Sequence, residues 1–258
     1  IDLCLSVFWW AKFRKKKGSI KVHTLYEVET QIPAFFHITE ASVHDSKVMI
    51  EIPYEPSSYY IFDRGYNNFK MLYKIHQIEA YFVVRAKKNL GYKSIQWKRR
   101  LTKNVLSDAS VLLTGFYPKQ YYPEPLRLVK YWDEEQEREF IFITNAMHIS
   151  ALQVAELYKN RWQVELFFKW LKQHLKIKRF WGTTENAVRI QIYAAICAYC
   201  LVAIIQHDMQ LDRSTYEVLQ ILSISLTDKT HLRDLFNKTK FQNDKERFGP
   251  NGPSLFNF

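Results

Sequence analysis

Residues 158–172 read YKNRWQVELFFKWLK, and the spacing of polar and apolar side chains in this stretch predicts a helix. An α-helix turns by about 100° per residue, so Tyr158, Arg161, Glu165 and Lys172 fall within an arc of roughly 60°. A stripe of apolar side chains borders that arc, formed by Leu157, Val164, Phe168, Leu171 and Leu175. We therefore predict one long helix over residues 149–176 whose polar face lies beside its buried face.

Two interpretations of this polar face are open. A solvated helix with charge pairs four residues apart would produce the same spacing. The set here combines a phenol, a guanidinium, a carboxylate and an ammonium group, and it borders the apolar stripe. This combination favours a site in which Glu165 is half-buried and held between cations.

The order of the remaining segments indicates an α/β fold. Strand-like runs precede and follow short helical segments, and a β-rich stretch separates residues 80–84 from the long helix. This order is typical of a mixed sheet flanked by helices. We predict a first core half (residues 1–92), a β-rich insertion (93–139), a second core half with the Glu165 helix (140–210), and a helical segment with a loose tail (211–258).

The charge of the chain points to a polyanionic partner. Its 258 residues carry a formal net charge of +11, which favours nucleic acid as the partner, although a generally basic soluble protein would have the same balance. Few glycines and the lack of a phosphate-binding loop disfavour nucleotide hydrolysis. The histidines His23, His37 and His44 fall in or beside strands and are expected to be structural.

Cysteine usage and hydropathy suggest a cytoplasmic protein. Three cysteines are too few and too unevenly placed for a disulfide framework, which suits a reducing compartment. Cys197 and Cys200 lie in the apolar run 190–205 and are expected to be buried in a helix. That run is short for a bilayer span and is interrupted by Gln191, so we predict a core helix and no membrane association.

Asp63 is the second candidate acidic residue. It follows the compact apolar strand 59–62, and Gly65 would allow close approach of backbone or ligand. Strand ends often carry catalytic groups, yet an aspartate here could equally cap the following helix. With Glu165, Asp63 could bind a divalent cation such as Mg²⁺, which typically takes one or two carboxylates and a phosphate. Two carboxylates are few for a two-metal site, so a third is expected.

Basic residues occur in two further groups. Lysine or arginine interleaved with aromatic residues suits phosphate contact and base stacking, although a solvated basic turn is an equal alternative. That first group consists of Lys12, Arg14, Lys15, Lys16 and Lys17. The second group extends the long helix as a cationic strip and includes Lys169, Lys172, Lys176, Lys178 and Arg179.

Two separated motifs resemble one known family. Tyr158, Arg161, Glu165 and Lys172 form Y-x2-R-x3-E-x6-K, and Asp63, Gly65 and Tyr66 form D-x-G-[FY]. Together with the stretch LSVFWWAKFRKKKGSIKVHT and the pair His44-Asp45, they resemble insertion-sequence DDE transposases of the YREK subgroup. The resemblance covers about residues 1–206.

The resemblance implies an RNase H-like catalytic domain with a β-strand insertion. Asp63 would be the second acid and Glu165 the third, holding two Mg²⁺ or Mn²⁺ ions for DNA strand cleavage and strand transfer at insertion-sequence ends. Tyr158, Arg161 and Lys172 would contact DNA phosphate. It further implies double-stranded DNA partners, a homodimer on paired ends, and a bacterial, nucleoid-associated location. A tryptophan of the insertion can hold a flipped base in relatives, but Trp97 and Trp132 are expected to be ordinary sheet residues.

The first acidic residue of the motif has no clear counterpart here. In the family it lies in a short Asp-Ser/Ala-Thr segment before a run like residues 1–5, and Asp2 falls inside that run. We therefore expect the first acid to lie upstream of Ile1, and this chain alone to bind DNA without cleaving it. Two alternatives are a non-enzymatic DNA-binding remnant and an RNase H-like nuclease without strand transfer.

Overall fold

The computed structural model describes residues 2–4, 12–13, 17–175, 180–225, 227 and 229–238, with side chains from residue 20 to residue 236 within those ranges. The chain divides into two compact units, Ile1–Ile196 and Cys197–Phe258. The first unit contains two sheets and most of the helices.

The N-terminal sheet is built around one long strand. Strand β3 (Lys17–Tyr26) lies between β1 (Asp2–Cys4) and β2 (Lys12–Phe13) and also pairs with β4 (Pro33–Glu40), and all three pairings are antiparallel. β-branched and aromatic residues favour these strands. The sequence predicted strands over 19–29 and 31–39, and both are confirmed with shifted ends. The short helix α1 (Asp45–Val48) follows, capped by His44.

A six-stranded mixed sheet forms the centre of the first unit. Its order is β5 (Tyr59–Phe62), β6 (Tyr81–Arg85), β10 (Arg138–Thr144), β9 (Leu126–Asp133), β8 (Val105–Leu113) and β7 (Tyr92–Trp97). Strands β5 and β6 are parallel, and the other pairs are antiparallel. Helix α2 (Phe69–Gln77), capped by Asn68, forms the β5–β6 crossover. The mixed sheet flanked by helices agrees with the predicted fold class.

Alternation along the strands separates two cores. Tyr60 and Phe62 of β5 face a core that includes Leu72 and Ile75 of α2. The intervening Ile61 faces the opposite core, beneath α4 (Ala151–Lys159). Successive side chains of a strand point to opposite faces, so the sheet is covered by α2 on one face and by α4 on the other.

The prediction of one continuous helix over 149–176 is wrong, because the structure has two helices there. They are α4 (Ala151–Lys159) and α5 (Trp162–His174), separated at Asn160 and Arg161. The amide of Arg161 donates to the carbonyl of Tyr158, which is the shorter bonding pattern of a 3₁₀ turn. Asparagine has low helix propensity, so the break falls at a weak point of the sequence.

The segment predicted as an insertion continues the central sheet. Its strands join the core through the β9–β10 pairing, and the predicted boundary after residue 139 falls inside β10. Two elements were not predicted: strand β7, and helix α3 (Phe116–Tyr121), which begins in a stretch rich in tyrosine and proline. The division into four domains stays a prediction.

Three helices follow the first two thirds of the chain: α6 (Glu185–Asp208), α7 (Thr215–Ile224) and α8 (Leu232–Lys238). The second unit has a small core of Val202, Val218, Ile221 and Phe236. The predicted loose tail, residues 239–258, lies outside the described residues.

Helix α6 contains the apolar run 190–205, and its cysteines differ from their prediction. The whole helix has 24 residues, so by length and composition it could cross a membrane, although the apolar run alone is short for a span. One such helix is weak evidence, because core helices of soluble proteins pass the same test. Cys197 is exposed and Cys200 half-buried, because Cys197 lies on an outer face that also exposes Ile190 and Leu201. The prediction of two buried cysteines is therefore wrong.

Candidate active site

Asp63 lies where β5 ends, on the face of the sheet that α4 covers. Ile61 packs into the core beneath α4, and the alternation of the strand directs Asp63 to the same side. The hydroxyl of Tyr158 donates to Asp63 Oδ1 at 3.2 Å. The amide of Arg64 donates to the same oxygen at 2.7 Å, where Asp63 caps the 3₁₀ turn Arg64–Tyr66. Asp63 is thus both a cap and a member of a polar cluster.

Tyr158 is buried, with 7% of its surface exposed, and its ring packs against Phe140 and Phe142. Burial, together with the charge of Asp63, raises the pKa of the Tyr158 hydroxyl, so it stays a neutral donor. Helical spacing predicted that Tyr158 lies on a polar face of the helix. The structure agrees for its hydroxyl only, because the ring is packed in the core.

Arg161 pairs with the second carboxylate and lies beside the Tyr158 ring. Its Nη1 lies 2.7 Å from Glu165 Oε1, and its guanidinium lies 5.7 Å from the centre of the Tyr158 ring. Burial lowers the pKa of Arg161, but the hydrogen bond to Glu165 and the charge of Asp63 outweigh this and raise it. The Glu165 side chain is 43% exposed, so it is more open than the half-buried position predicted. Asp63, Tyr158, Arg161 and Glu165 therefore form one connected cluster.

Both carboxylates keep one oxygen available. Within the described part of the chain, Asp63 Oδ2 and Glu165 Oε2 have no hydrogen bond or ion pair. Among the same residues, no group of three His, Cys, Asp or Glu side chains could together hold a metal ion. Carboxylate oxygens are hard ligands of the kind that divalent cations prefer.

A family model described as "Transposase DDE domain" matches residues 7–201, which include Asp63, Tyr158, Arg161 and Glu165. The chain belongs to this transposase family. Its mixed sheet flanked by helices is consistent with the predicted RNase H-like domain. The family generally uses a divalent metal, and transposases act on DNA. Assignment to the YREK subgroup stays a prediction.

Three relatives carry matching names. "Putative transposase y4zB" of Sinorhizobium fredii is 35% identical over 233 residues, covering 88% of this chain and 64% of that protein. "Probable transposase for insertion sequence element IS5377" of Geobacillus stearothermophilus is 30% identical, covering 74% and 51%. "Putative transposase for insertion sequence element IS4SA" of Synechocystis is 26% identical, covering 81% and 60%. The chain thus spans between half and two thirds of the length of these relatives.

The predicted DNA-binding residues of this DDE domain are only partly described. Lys172 is half-buried and Lys169 exposed on α5, and neither has an ion pair or hydrogen bond with a described residue. The other predicted basic residues lie outside the part of the chain that the structure describes. They are the side chains of Lys12, Arg14, Lys15, Lys16 and Lys17, and the residues Lys176, Lys178 and Arg179. Both groups stay predictions.

A polar network behind Asp63 was missed by the sequence interpretation. The turn after Asp63 contacts α1 and β3 of the DDE domain through Lys21, His23, Asp45 and Tyr66. His23 was predicted to be structural, and it is buried and hydrogen-bonded. The signals were present in the stretch KVHT and the pair His44-Asp45, but they supported only the family resemblance.

The two tryptophans of the insertion are not ordinary packed residues. Trp97 is 61% exposed and Trp132 is 39% exposed, so the expectation of simple sheet packing is wrong. Trp97 borders a groove of about 360 Å³ that is also lined by Tyr92, Lys98, Leu101 and Lys130. Trp97 ends β7, the edge strand of the DDE domain's sheet, whereas Trp132 lies near the end of β9, an inner strand between β10 and β8.

Proposed function

We propose that this chain is the catalytic domain of an insertion-sequence transposase that cleaves DNA at the ends of the element and joins the freed 3′ ends to target DNA. The single observation that carries the proposal is the connected cluster of Asp63, Tyr158, Arg161 and Glu165. It joins the acidic residue of one motif to the acidic residue of another that lies far along the chain.

Asp63 and Glu165 would hold the divalent metal, with Mg²⁺ or Mn²⁺ as the ion and a third acidic residue beside them. Bound there, two ions would supply positive charge that stabilises the attacking and leaving oxygens of phosphodiester cleavage. The fit rests on the oxygens Asp63 Oδ2 and Glu165 Oε2, which carry no hydrogen bond among the described residues.

Tyr158 and Arg161 would prepare the two carboxylates. The Tyr158 hydroxyl donates to Asp63, which fixes the direction of that carboxylate. Arg161 neutralises Glu165 in the free protein, and its buried Nε has no hydrogen-bond partner in the described part of the chain. The exposed part of the guanidinium would pair with a DNA phosphate oxygen, which binds an arginine more strongly than a neutral acceptor does.

The cationic residues of α5 would hold the DNA backbone. Lys169 and Lys172 are separated from Glu165 by about one and two helical turns, so a phosphate beside the acidic cluster is within their reach. The segment Lys12–Lys17 would add further contacts. Double-stranded DNA is the proposed partner, bound by a homodimer on paired ends in the bacterial cytoplasm.

The test uses the whole protein and a labelled duplex carrying the terminal repeats of its element. We expect cleavage in Mg²⁺ or Mn²⁺ by the parent, loss of cleavage below detection in Asp63→Asn and Glu165→Gln, and unchanged DNA affinity in both. Glu156→Gln is the matched control, because Glu156 is an exposed glutamate on the adjacent α4. Joining of the labelled 3′ end to target DNA separates transposition from simple nuclease activity.

A DNA-binding protein without cleavage is the second candidate. It is favoured by the absence of a third acidic residue near Asp63 and Glu165 in the described ranges. Tight, salt-dependent DNA binding by a parent that never cleaves would establish this second function. Loss of DNA binding in Glu165→Gln would make Glu165 a structural residue instead.

A further inference from the structure

The turn that carries Asp63 rests on a charged pair from two other elements. Lys21 on β3 lies 3.1 Å from Asp45 Oδ1 on α1, and its ammonium also donates to the carbonyl of Val43 at 3.1 Å. The pair is partly shielded, with the side chains 20% and 37% exposed. Lys21 thereby fixes both the start of α1 and the direction of the Asp45 carboxylate.

Gly65 is the point at which this carboxylate meets the turn. A Cβ atom at position 65 would lie 2.9 Å from Asp45 Oδ2, closer than real Cβ contacts. No described glycine has a positive φ, so the backbone at Gly65 does not itself require glycine. The requirement comes from the close approach of Asp45.

Three further hydrogen bonds tie the same turn and the residues beside it to their surroundings. The hydroxyl of Tyr66 lies 3.2 Å from His23 Nδ1, and His23 Nε2 lies 3.0 Å from Thr39 Oγ1 on β4. His23 is buried, with 6% of its surface exposed. The side-chain amide of Asn68 donates to the carbonyl of Ser46 at 3.4 Å. The turn is therefore held from β3, β4 and α1 at once.

We propose that Lys21, His23 and Asp45 are positioning residues that fix the Asp63 carboxylate by packing against the turn Arg64–Tyr66. The inference rests on the proposed function in taking Asp63 as a metal ligand. Groups that orient a ligand from outside its coordination shell commonly change metal affinity by about 10–100-fold when they are altered. Glycine at position 65 is then a requirement of this packing.

A double-mutant cycle tests the contact between Gly65 and Asp45 in the full chain. The proteins are the parent, Gly65→Ala, Asp45→Ala and the double variant. Gly91→Ala is the matched control, because a Cβ there would also meet a side-chain oxygen, Thr114 Oγ1, at 2.9 Å. Two quantities are measured: the Mn²⁺ dissociation constant, and the hydrogen-exchange rate of the Tyr66 amide, which donates to the Asp63 carbonyl at 3.0 Å.

We expect Gly65→Ala to weaken Mn²⁺ binding by about tenfold and to speed Tyr66 exchange by a similar factor. Both effects of adding the methyl group should shrink when Asp45 is already alanine, because the clashing carboxylate is gone. Gly91→Ala should leave both quantities at parent values. Unfolding midpoints within a few degrees of the parent would show that the variants fold.

Two outcomes would overturn the proposal. One is a Gly65→Ala protein that keeps the parent's exchange rate and Mn²⁺ affinity. The other is the same cost of Gly65→Ala in both backgrounds, which would mean that Asp45 is not the group the methyl meets. A parent that binds no Mn²⁺ would instead count against the proposed function, and the exchange rates alone would then decide the positioning role.

Discussion

The two acidic residues of the site are held in opposite ways. Asp63 receives a hydrogen bond from Tyr158 on α4, and its turn is tied to β6 through Asn67, whose side chain donates to the carbonyls of Arg64 and Arg85. Glu165 has a different support. Its one ion pair among the described residues is with Arg161, four positions earlier in the chain.

The two kinds of support indicate that the Asp63 half of the site is fixed before any ligand binds. Contacts from separate elements orient a side chain through the packing of the whole unit, which pre-organises it. A partly exposed pair four residues apart contributes only about 0.3–0.5 kcal/mol and rearranges easily. We therefore expect the Asp63 side chain to keep its position whether or not a ligand is bound. We expect the Glu165 side chain to change its partners when metal or DNA binds.

Substitutions at Tyr158 should have the largest effect on stability, because this residue contacts both Asp63 and Arg161. Tyr158→Ala removes a ring packed on Phe140 and Phe142, and we expect it to lower the free energy of unfolding by about 3–5 kcal/mol. Tyr158→Phe keeps the ring and loses only the hydrogen bond to Asp63, so about 1 kcal/mol is expected. Urea unfolding of the three proteins measures both values.

Mn²⁺ titration of the folded Tyr158→Phe protein completes this prediction. If the hydroxyl orients Asp63, Mn²⁺ affinity should fall severalfold while the fold is retained. Equal stability and equal Mn²⁺ affinity in the parent and Tyr158→Phe would show that Asp63 is not held from α4, and the contrast with Glu165 would fail.

His23 gives the second effect, through pH. Burial lowers the pKa of His23 from 6.5 to about 4, although the nearby Asp45 charge acts in the opposite direction. Between these values the unfolded chain binds a proton that the native protein does not, so the free energy of unfolding falls as pH falls. At pH 5 the loss relative to pH 7.5 is about 2 kcal/mol from this group.

His23→Gln isolates that contribution. The variant should be less stable than the parent at pH 7.5, and the difference in unfolding free energy between the two proteins should shrink by about 2 kcal/mol at pH 5. Urea titrations at the two pH values measure it, with matching slopes confirming a comparable unfolded state. A difference that stays constant with pH would mean that His23 is not a buried neutral group supporting the Asp63 turn.

The sequence predicted the acidic residues better than it predicted what holds them. The compact run Tyr59–Phe62 and the residue after it specified a strand with an acid at its end, and both were found. Helical spacing predicted that Arg161 and Glu165 lie together, and their ion pair confirms it. These features are local, so periodicity alone could reveal them.

What the sequence did not predict depends on contacts between distant segments. Tyr158 shares the polar arc, yet its ring is buried because β10 places Phe140 and Phe142 beneath it. The break at Asn160 also escaped, since one weak helix former does not decide where a helix ends. The approach of Asp45 to Gly65 joins residues 20 positions apart through a β-sheet and a turn, which no spacing rule encodes.

Lys172, on the same helix as Glu165, should contribute little to stability and more to DNA binding. Its ammonium has no ion pair or hydrogen bond among the residues that the structure describes, so Lys172→Gln should change the free energy of unfolding by less than about 0.5 kcal/mol. If Lys172 contacts a DNA phosphate, the slope of log affinity against log salt should be smaller by about 0.9 in Lys172→Gln than in the parent.

Lys74→Gln is the matched control, because Lys74 is exposed on α2, which covers the opposite face of the sheet from α4. DNA titrations between roughly 50 and 200 mM salt, over which binding through phosphate contacts weakens steeply, measure the slopes. Equal slopes in the parent and both variants would remove Lys172 from the DNA-binding face.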